Sequence, residues 1–400
     1  MKMKLKCFFS ATVILPLFVM LSCVGGLPYW CSSLIFVAYC LYIIIIVRRT
    51  ISINKLELFF LICLALCTLL SSPNSVFHSW ERLGIFSILI LFSTSVLESE
   101  YNRELRRKSL KMVLCISITI SIASFFCYFL NINLFEDSYS GEYFSDYNDF
   151  IGHFSGIAKH SMVLGPLSGI STIYLFIKYL ETKSRKSLIF MILCIGSLFF
   201  AASRGAILAT LFGISIYFLK YIRNGKKKNI ILAFIIGVLL FPIYQPYLNA
   251  ALNKHDNKGN FGVYDSRTQK IDARIYEFTE SPIYGVGFCA IDPDGKDEYN
   301  VLTGSIEPGS SWLAVLSMSG MIGFLYFLII IGKAIYQANK KKDNLLISIL
   351  AFFSIHMLVE GYVFSAGNAL SFLFWLSIGC CLDLRYKNYN KYPQLKRQYA

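Results

Sequence analysis

Residues 187–222 read SLIFMILCIGSLFFAASRGAILATLFGISIYFLKYI, and this run decides the fold. As one helix, about 36 nearly uninterrupted apolar residues would reach roughly 54 Å at 1.5 Å per residue. That is almost twice the ~30 Å hydrocarbon core of a bilayer, so the run must fold back on itself. Its one polar interruption is Ser203-Arg204-Gly205, where glycine permits a tight turn. Arg185 and Lys186 precede the run and Arg223 follows it. Basic residues favour the cytoplasmic side, so both ends lie there and the turn carries Arg204 to the opposite face.

The whole chain has the same character. Its 400 residues are 56% hydrophobic and 16% charged, with mean hydropathy +0.56, which is too apolar for a soluble domain. The aromatic share of 16%, with 34 Phe and 25 Tyr, suits lipid-facing Phe and interfacial Tyr. The net charge of +14 does not signal a nucleic-acid partner, because the cations sit in short tracts between apolar runs. Most of the 12 cysteines, among them Cys63, Cys67, Cys194, Cys380 and Cys381, fall inside apolar runs, where Cys behaves as a small hydrophobe.

Cutting the chain into stretches near the bilayer length gives about twelve spans: 7–26, 30–47, 57–71, 83–98, 112–131, 161–180, 187–202, 205–222, 229–247, 312–332, 344–363 and 368–383. The expected fold is an all-α polytopic membrane protein forming one integral membrane domain over 1–400. The tracts 1–6, 48–55, 103–111, 183–186, 223–228, 333–342 and 385–397 are basic and alternate with the other connections. The positive-inside rule places them and both termini in the cytoplasm. Two loops on the far side are long enough for chemistry, 132–160 and 247–311, and the second is expected to contain short helices.

Within the second loop, Arg267, Lys270 and Arg274 recur at helical spacing beside Ile271, Ile275 and Phe278. Ser266 with Gln269 gives a capping-box start. An amphipathic helix lying on the membrane would show the same pattern. Guanidinium groups also grip phosphate oxygens in pairs, and two from separate elements, Arg204 and Arg274, could bracket a pyrophosphate. Lys270, Arg267, Lys159 and Tyr276 are the further substrate-binding candidates. His160 and Glu307 are the candidate bases, since an imidazole or a carboxylate could take the proton of an attacking hydroxyl. His356 and Glu360, four apart in the eleventh expected span, read as a structural or cavity-lining pair, with a proton relay as the alternative. No cofactor or metal is expected, because no carboxylates show ligand spacing.

The order of these features resembles the O-antigen ligase and polymerase superfamily. The resemblance rests on Ser203-Arg204-Gly205 at a hairpin tip and the arginine helix about seventy residues later. It also rests on Ser281-Pro-Ile-Tyr-Gly285-Val-Gly287, the Gly320-Met-Ile-Gly323 pattern in the returning helix, and Gly156-Ile-Ala-Lys159-His160 before the sixth span. It implies an enzyme of the bacterial inner membrane acting on glycans linked to undecaprenyl pyrophosphate, with Arg204 and Arg274 on the pyrophosphate. A flippase and a chain-length regulator would be its working partners. Ligases of this kind typically open the helix after the large loop with a His-Asn pair. Here Gly309-Ser310-Ser311-Trp312 occupies that place, and no histidine falls between 256 and 355. The resemblance therefore leans to a polymerase of O-antigen or capsule repeat units. The alternatives are the ligase that transfers glycan to lipid A core and a lipid-linked oligosaccharide flippase.

Overall fold

The computed structural model describes residues 16–17, 19–25, 47, 50, 52–134, 154–222, 263–293, 299–301 and 304–383. The spans expected at 229–247 and, but for residue 47, at 30–47 lie outside these residues, as do most of 7–26 and most of the 132–160 loop. The described chain is mainly helical. Its helices are α1 (Lys55–Ser71), α2 (Ser79–Ser93), α3 (Glu100–Phe129), α4 (Ser161–Thr182), α5 (Arg185–Phe200), α6 (Arg204–Ile222), α7 (Val263–Glu280), α8 (Ser311–Lys340), α9 (Asn344–His356) and α10 (Ala369–Leu382). Two short antiparallel ribbons complete it: β1 (Ser52–Ile53) with β2 (Leu97–Glu98), and β3 (Tyr299–Asn300) with β4 (Ser305–Ile306).

Polarity is distributed inside out. Leu66, Leu69 and Leu70 of α1, Ile189 and Ile192 of α5, Leu208 and Leu211 of α6 and Leu325 and Ile329 of α8 are exposed, while Ser121, Ser168, Ser197, Ser317, Ser348 and Ser377 are buried. A water-soluble protein could not carry such stripes of exposed leucine and isoleucine. In lipid they are ordinary, and small polar residues pack the interior. Ser168 donates to Ser121 Oγ at 2.9 Å and Ser197 donates to the Ser121 carbonyl at 2.6 Å, which ties α3, α4 and α5 together. Residues 75–93, α3, α4 and α8 are each long and apolar enough to cross a membrane, and α6, α9 and α10 are shorter apolar helices.

Contacts sort the connections into two ends. At one, Gly165 near the start of α4 faces Ser203, Gly205 faces Val359, and the Phe288 amide donates to Thr68 Oγ1 at 3.2 Å. At the other, Asn54 bonds Ser95, Arg106 pairs with Asp383, and the Lys341 ammonium donates to the carbonyls of Cys381 and Asp383. The short polar turns and the described parts of the 281–310 loop therefore gather at a polar end. The tracts around 103–107, 341–343 and the end of α10 gather at a basic end, as the alternation of charge requires.

Several expected boundaries move. α3 begins at Glu100, capped by the Ser99 side chain, so the cations 103–111 are helical rather than loop, and α8 likewise carries Lys333 and Lys340 within its last turns. Long cationic side chains near a helix end reach the headgroup layer without the helix stopping. α2 runs from Ser79 to Ser93, so 94–98, expected inside a span, forms a turn and β2. α9 stops at His356 rather than 363. Its next carbonyls, Met357 and Glu360, accept from the Ser311 amide, and Ser311 Oγ donates to Glu360 as well. Glu360 consequently lies in a turn and not one helical turn above His356.

The α8 helix is broken where the large loop docks. Gly320 has φ 61° and ψ −168°, a conformation essentially reserved for glycine. The 281–287 segment fills the break. Val286 and Gly287 donate to the carbonyls of Ser317 and Met318 at 2.9 and 3.1 Å, and Met321 and Ile322 donate to those of Pro282 and Ile283 at 2.8 and 3.4 Å. Backbone polar groups freed within a membrane helix must find protein partners, and the Ser-Pro-x-x-Gly-Val-Gly motif supplies them. Just beyond it Phe288 enters the core, 5.2 Å from Phe86 and 4.8 Å from Phe364 between ring centres. Phe86 in turn meets Trp375, whose indole donates to the Val363 carbonyl at 2.9 Å.

At the basic end Arg106 and Asp383 are each about 1% exposed. Breaking a buried pair by removing one partner typically costs about 3–5 kcal/mol. Arg106→Ala is therefore expected to lower the thermal unfolding temperature in detergent sharply, whereas Arg106→Met combined with Asp383→Asn, which leaves no unpaired charge, recovers most of it.

Candidate functional site

At the polar end the Arg204 turn and the start of α8 both pack on the 356–362 segment. Arg204 is the first residue of α6 and is half-buried. Among the described residues no hydrogen-bond or ion-pair partner reaches its guanidinium. The turn that carries it packs on the end of α9: a Cβ on Gly205 would lie 2.5 Å from Val359 Cγ2 and 3.8 Å from His356 Cδ2. The start of α8 is bonded to the same segment, held by Ser310 Oγ donating to Met357 at 3.1 Å and by Ser311. Pro308 lies against Gly361 and the Lys270 side chain against Gly309. The Arg204 hairpin thus packs on the 356–362 segment, and α7 meets the 308–309 stretch that lies against the same segment.

The α7 helix differs from expectation in its start and its buried face. It begins at Val263, so Ser266 lies inside it rather than capping it. Ile271 and Ile275 are exposed, at 39% and 48%, while Ala273, Arg274 and Glu277 are buried. An apolar stripe turned outward at a membrane surface meets lipid, and the inward face is the one carrying charge. Arg274 Nη2 meets Glu277 Oε1 at 2.8 Å, and that oxygen also accepts from the Asp292 amide at 3.3 Å. Arg274 therefore sits behind the surface with a carboxylate already against it. Lys270 is ion-paired with Glu307, which joins a substrate-binding candidate to a candidate base. Tyr276 is exposed, and the Arg267 side chain lies outside the described residues.

His160 caps α4, its Nδ1 accepting from the Met162 amide at 3.0 Å. With that lone pair engaged, the neutral ring carries its proton on Nε2, so a base at this position would first have to release the cap. Lys159 is exposed, and its backbone amide donates to Cys23 at 2.7 Å.

Sequence reasoning passed over several residues. Glu277 stands three residues after Arg274, a spacing that pairs charges on a helix. Tyr362 donates to or accepts from His356 Nδ1 at 3.1 Å, and Phe352 stacks on the same imidazole; the helix end that brings them together has no sequence signal. Arg82 lines a cavity of about 320 Å³ with Cys289, Pro308, Met318, Gly361 and Phe364. Burial pushes the Cys289 thiol up to about 12, against the pull of Arg82, so it stays protonated and is no nucleophile at neutral pH. A second cavity, of about 300 Å³, lies between the 70–74 turn and Glu280, Tyr284 and Asp292. Among the described residues no three His, Cys, Asp or Glu side chains form a metal-binding set.

The fold and this distribution of charge define a helical membrane protein whose polar chemistry is concentrated at one end. Residues 189–328 match the family described as O-Antigen ligase. The match runs from α5 through the Arg204 turn, the α7 helix and the Gly320 break, and over that segment the chain is similar to this family. No curated protein matches the chain.

Proposed function

We propose that the protein is a polymerase that joins undecaprenyl-pyrophosphate-linked oligosaccharide repeats into O-antigen or capsular polysaccharide on the extracytoplasmic face of the bacterial inner membrane. The observation that carries the reading is Arg204, a half-buried arginine without a partner among the described residues, in a turn that packs on the end of α9. In the proposed reaction the terminal hydroxyl of one lipid-linked repeat attacks the anomeric carbon of the growing chain. A new glycosidic C–O bond forms, the bond to undecaprenyl pyrophosphate breaks, and the hydroxyl proton passes to a base. The leaving pyrophosphate gathers negative charge, and pre-placed cations stabilise it. Arg204 is offered directly; Arg274 contributes by exchanging Glu277 for a phosphate oxygen or by fixing α7 in place. Of the two bases, Glu307 is the better placed, since His160 Nδ1 is engaged in a cap.

One observation favours the ligase reading: His356 packs against the Arg204 turn beside the start of α8, near the place where ligases carry a histidine. Deleting the gene and resolving surface glycan on gels separates the readings. A polymerase null leaves single repeat units; a ligase null leaves bare core with polymer still on its lipid; a flippase null traps repeats inside. Single repeats are the expected result, and unaltered ladders would exclude all three.

A further inference from the structure

The cavity of about 300 Å³ at the polar end is lined by Ser71, Ser72 and Asn74 where α1 ends, and by Glu280, Ser281, Tyr284 and Asp292 where α7 runs into the loop. No lysine, arginine or histidine lines it. Its two walls are joined to each other. The Phe288 amide donates to Thr68 Oγ1 at 3.2 Å, and a Cβ on Gly287 would lie 2.8 Å from Ser71 Oγ and 3.0 Å from Pro73 Cγ. The loop wall is fixed from behind as well, because the 282–287 backbone fills the break in α8. Among the described residues no hydrogen-bond or ion-pair partner reaches the Glu280 carboxylate or the Tyr284 hydroxyl. Asn74 Oδ1 accepts from the Val76 amide at 3.1 Å, which leaves Nδ2 to donate. The hydroxyls of Ser71, Ser72 and Ser281 donate to the carbonyls of Cys67, Leu69 and Gly285 at 2.8, 3.3 and 2.9 Å, and each oxygen can still accept. Asp292 has interactions of its own and is not counted among these groups.

Such a wall selects its ligand by chemistry. A phosphate calls for donors and positive charge, and here a carboxylate stands with no cation. A hard metal ion calls for oxygen acceptors, and here Asn74 Nδ2 stands among them as a donor. A sugar hydroxyl both donates and accepts, so a sugar matches a surface that mixes a carboxylate, an amide donor, a phenol and hydroxyl oxygens. A few fixed polar groups in a concave site are what orient a small ligand, and Tyr284 adds an apolar body beside its hydroxyl. The location agrees with the chemistry. The Asp292 amide donates to Glu277 Oε1 at 3.3 Å, and that oxygen meets Arg274 Nη2 at 2.8 Å, so the cavity borders one of the proposed pyrophosphate cations. We propose that this cavity is a subsite for an uncharged sugar of the lipid-linked repeat. That the sugar belongs to such a repeat rests on the function proposed above.

The test uses the full-length protein in detergent and two probes. One is the repeat-unit oligosaccharide released from the producing bacterium's surface glycan by partial hydrolysis, free of lipid and phosphate, with binding followed by saturation-transfer NMR. The other is polyprenyl pyrophosphate, bare or carrying one repeat. Glu280→Gln and Asn74→Asp are the variants, both at exposed side chains and both isosteric, and the aspartate keeps the oxygen that caps the 75–77 turn. Each is expected to weaken binding of the free oligosaccharide roughly tenfold, as for loss of one hydrogen bond to or from the ligand, and to leave affinity for the bare carrier unchanged. Glu81→Gln, at an exposed carboxylate outside the cavity, is expected to change neither. Undiminished oligosaccharide binding by both variants, an equal loss from Glu81→Gln, or no binding of the free oligosaccharide by the native protein would overturn the proposal. Displacement of the oligosaccharide by millimolar calcium would overturn it too, in favour of a cation. Arg204→Ala is expected to weaken both carriers alike without touching the free oligosaccharide. A native protein that binds the oligosaccharide and ignores the bare carrier would sink the pyrophosphate reading and leave the sugar subsite standing.

Discussion

Arg204→Ala is expected to abolish glycan chain extension, with a fall in rate of roughly 10²–10³ or more, the scale seen when one pre-placed donor to a developing anion is removed. The protein should still reach the membrane in normal amount. Arg204 is half-buried, and no ion pair among the described residues depends on it, so its loss strands no buried charge. Arg204→Lys is expected to restore only part of the activity, because an ammonium presents a point charge where a guanidinium presents a two-pronged fork. Ladder length on gels, set beside protein abundance on blots, measures both effects. Full ladders from Arg204→Ala would remove the residue from the site.

The second large effect is structural. Gly320→Ala is expected to prevent the large loop from docking and to deplete the protein from the membrane. The backbone conformation alone costs a non-glycine residue on the order of 1–3 kcal/mol. A Cβ there would also lie 2.3 Å from the Ile283 carbonyl oxygen and 2.5 Å from the Tyr284 nitrogen. Neither can yield without losing the four backbone hydrogen bonds that close the break in α8. Gly332→Ala in the same helix meets no atom within 4 Å and is expected to be tolerated, even slightly stabilising, since alanine favours helix over glycine by about 1 kcal/mol. Equal abundance of the two variants would show that the break does not hold the loop.

Much of this arrangement was legible in the sequence. The 187–222 run had to be a hairpin because bilayer thickness is fixed, and α5 and α6 meet at Ala201-Ala202-Ser203 as that arithmetic requires. The alternation of cations predicted which connections share an end, and Arg106, Lys341 and Asp383 meet there. Two glycine motifs stood out through the family resemblance, but their joint function was not readable: Gly285, Gly287 and Gly320 serve one splice between segments more than thirty residues apart. The orientation of α7 also escaped. Periodicity identifies a stripe of Ile271 and Ile275 but cannot say whether lipid or protein covers it, and the buried face proved to be the charged one. The end of α9 was equally hidden, since hydropathy continues past His356 while the carbonyls of Met357 and Glu360 turn to Ser311.

On the proposed function, the arginine-bearing polar end binds lipid pyrophosphate. The most direct measurement of this is the affinity of purified protein in detergent for a polyprenyl pyrophosphate, compared with the matching monophosphate, for the native chain and for Arg204→Ala. The native protein is expected to prefer the pyrophosphate, and Arg204→Ala to lose at least roughly tenfold in affinity for it, as for one charge-assisted contact. Equal affinities for the two ligands, or undiminished binding by the variant, would contradict it.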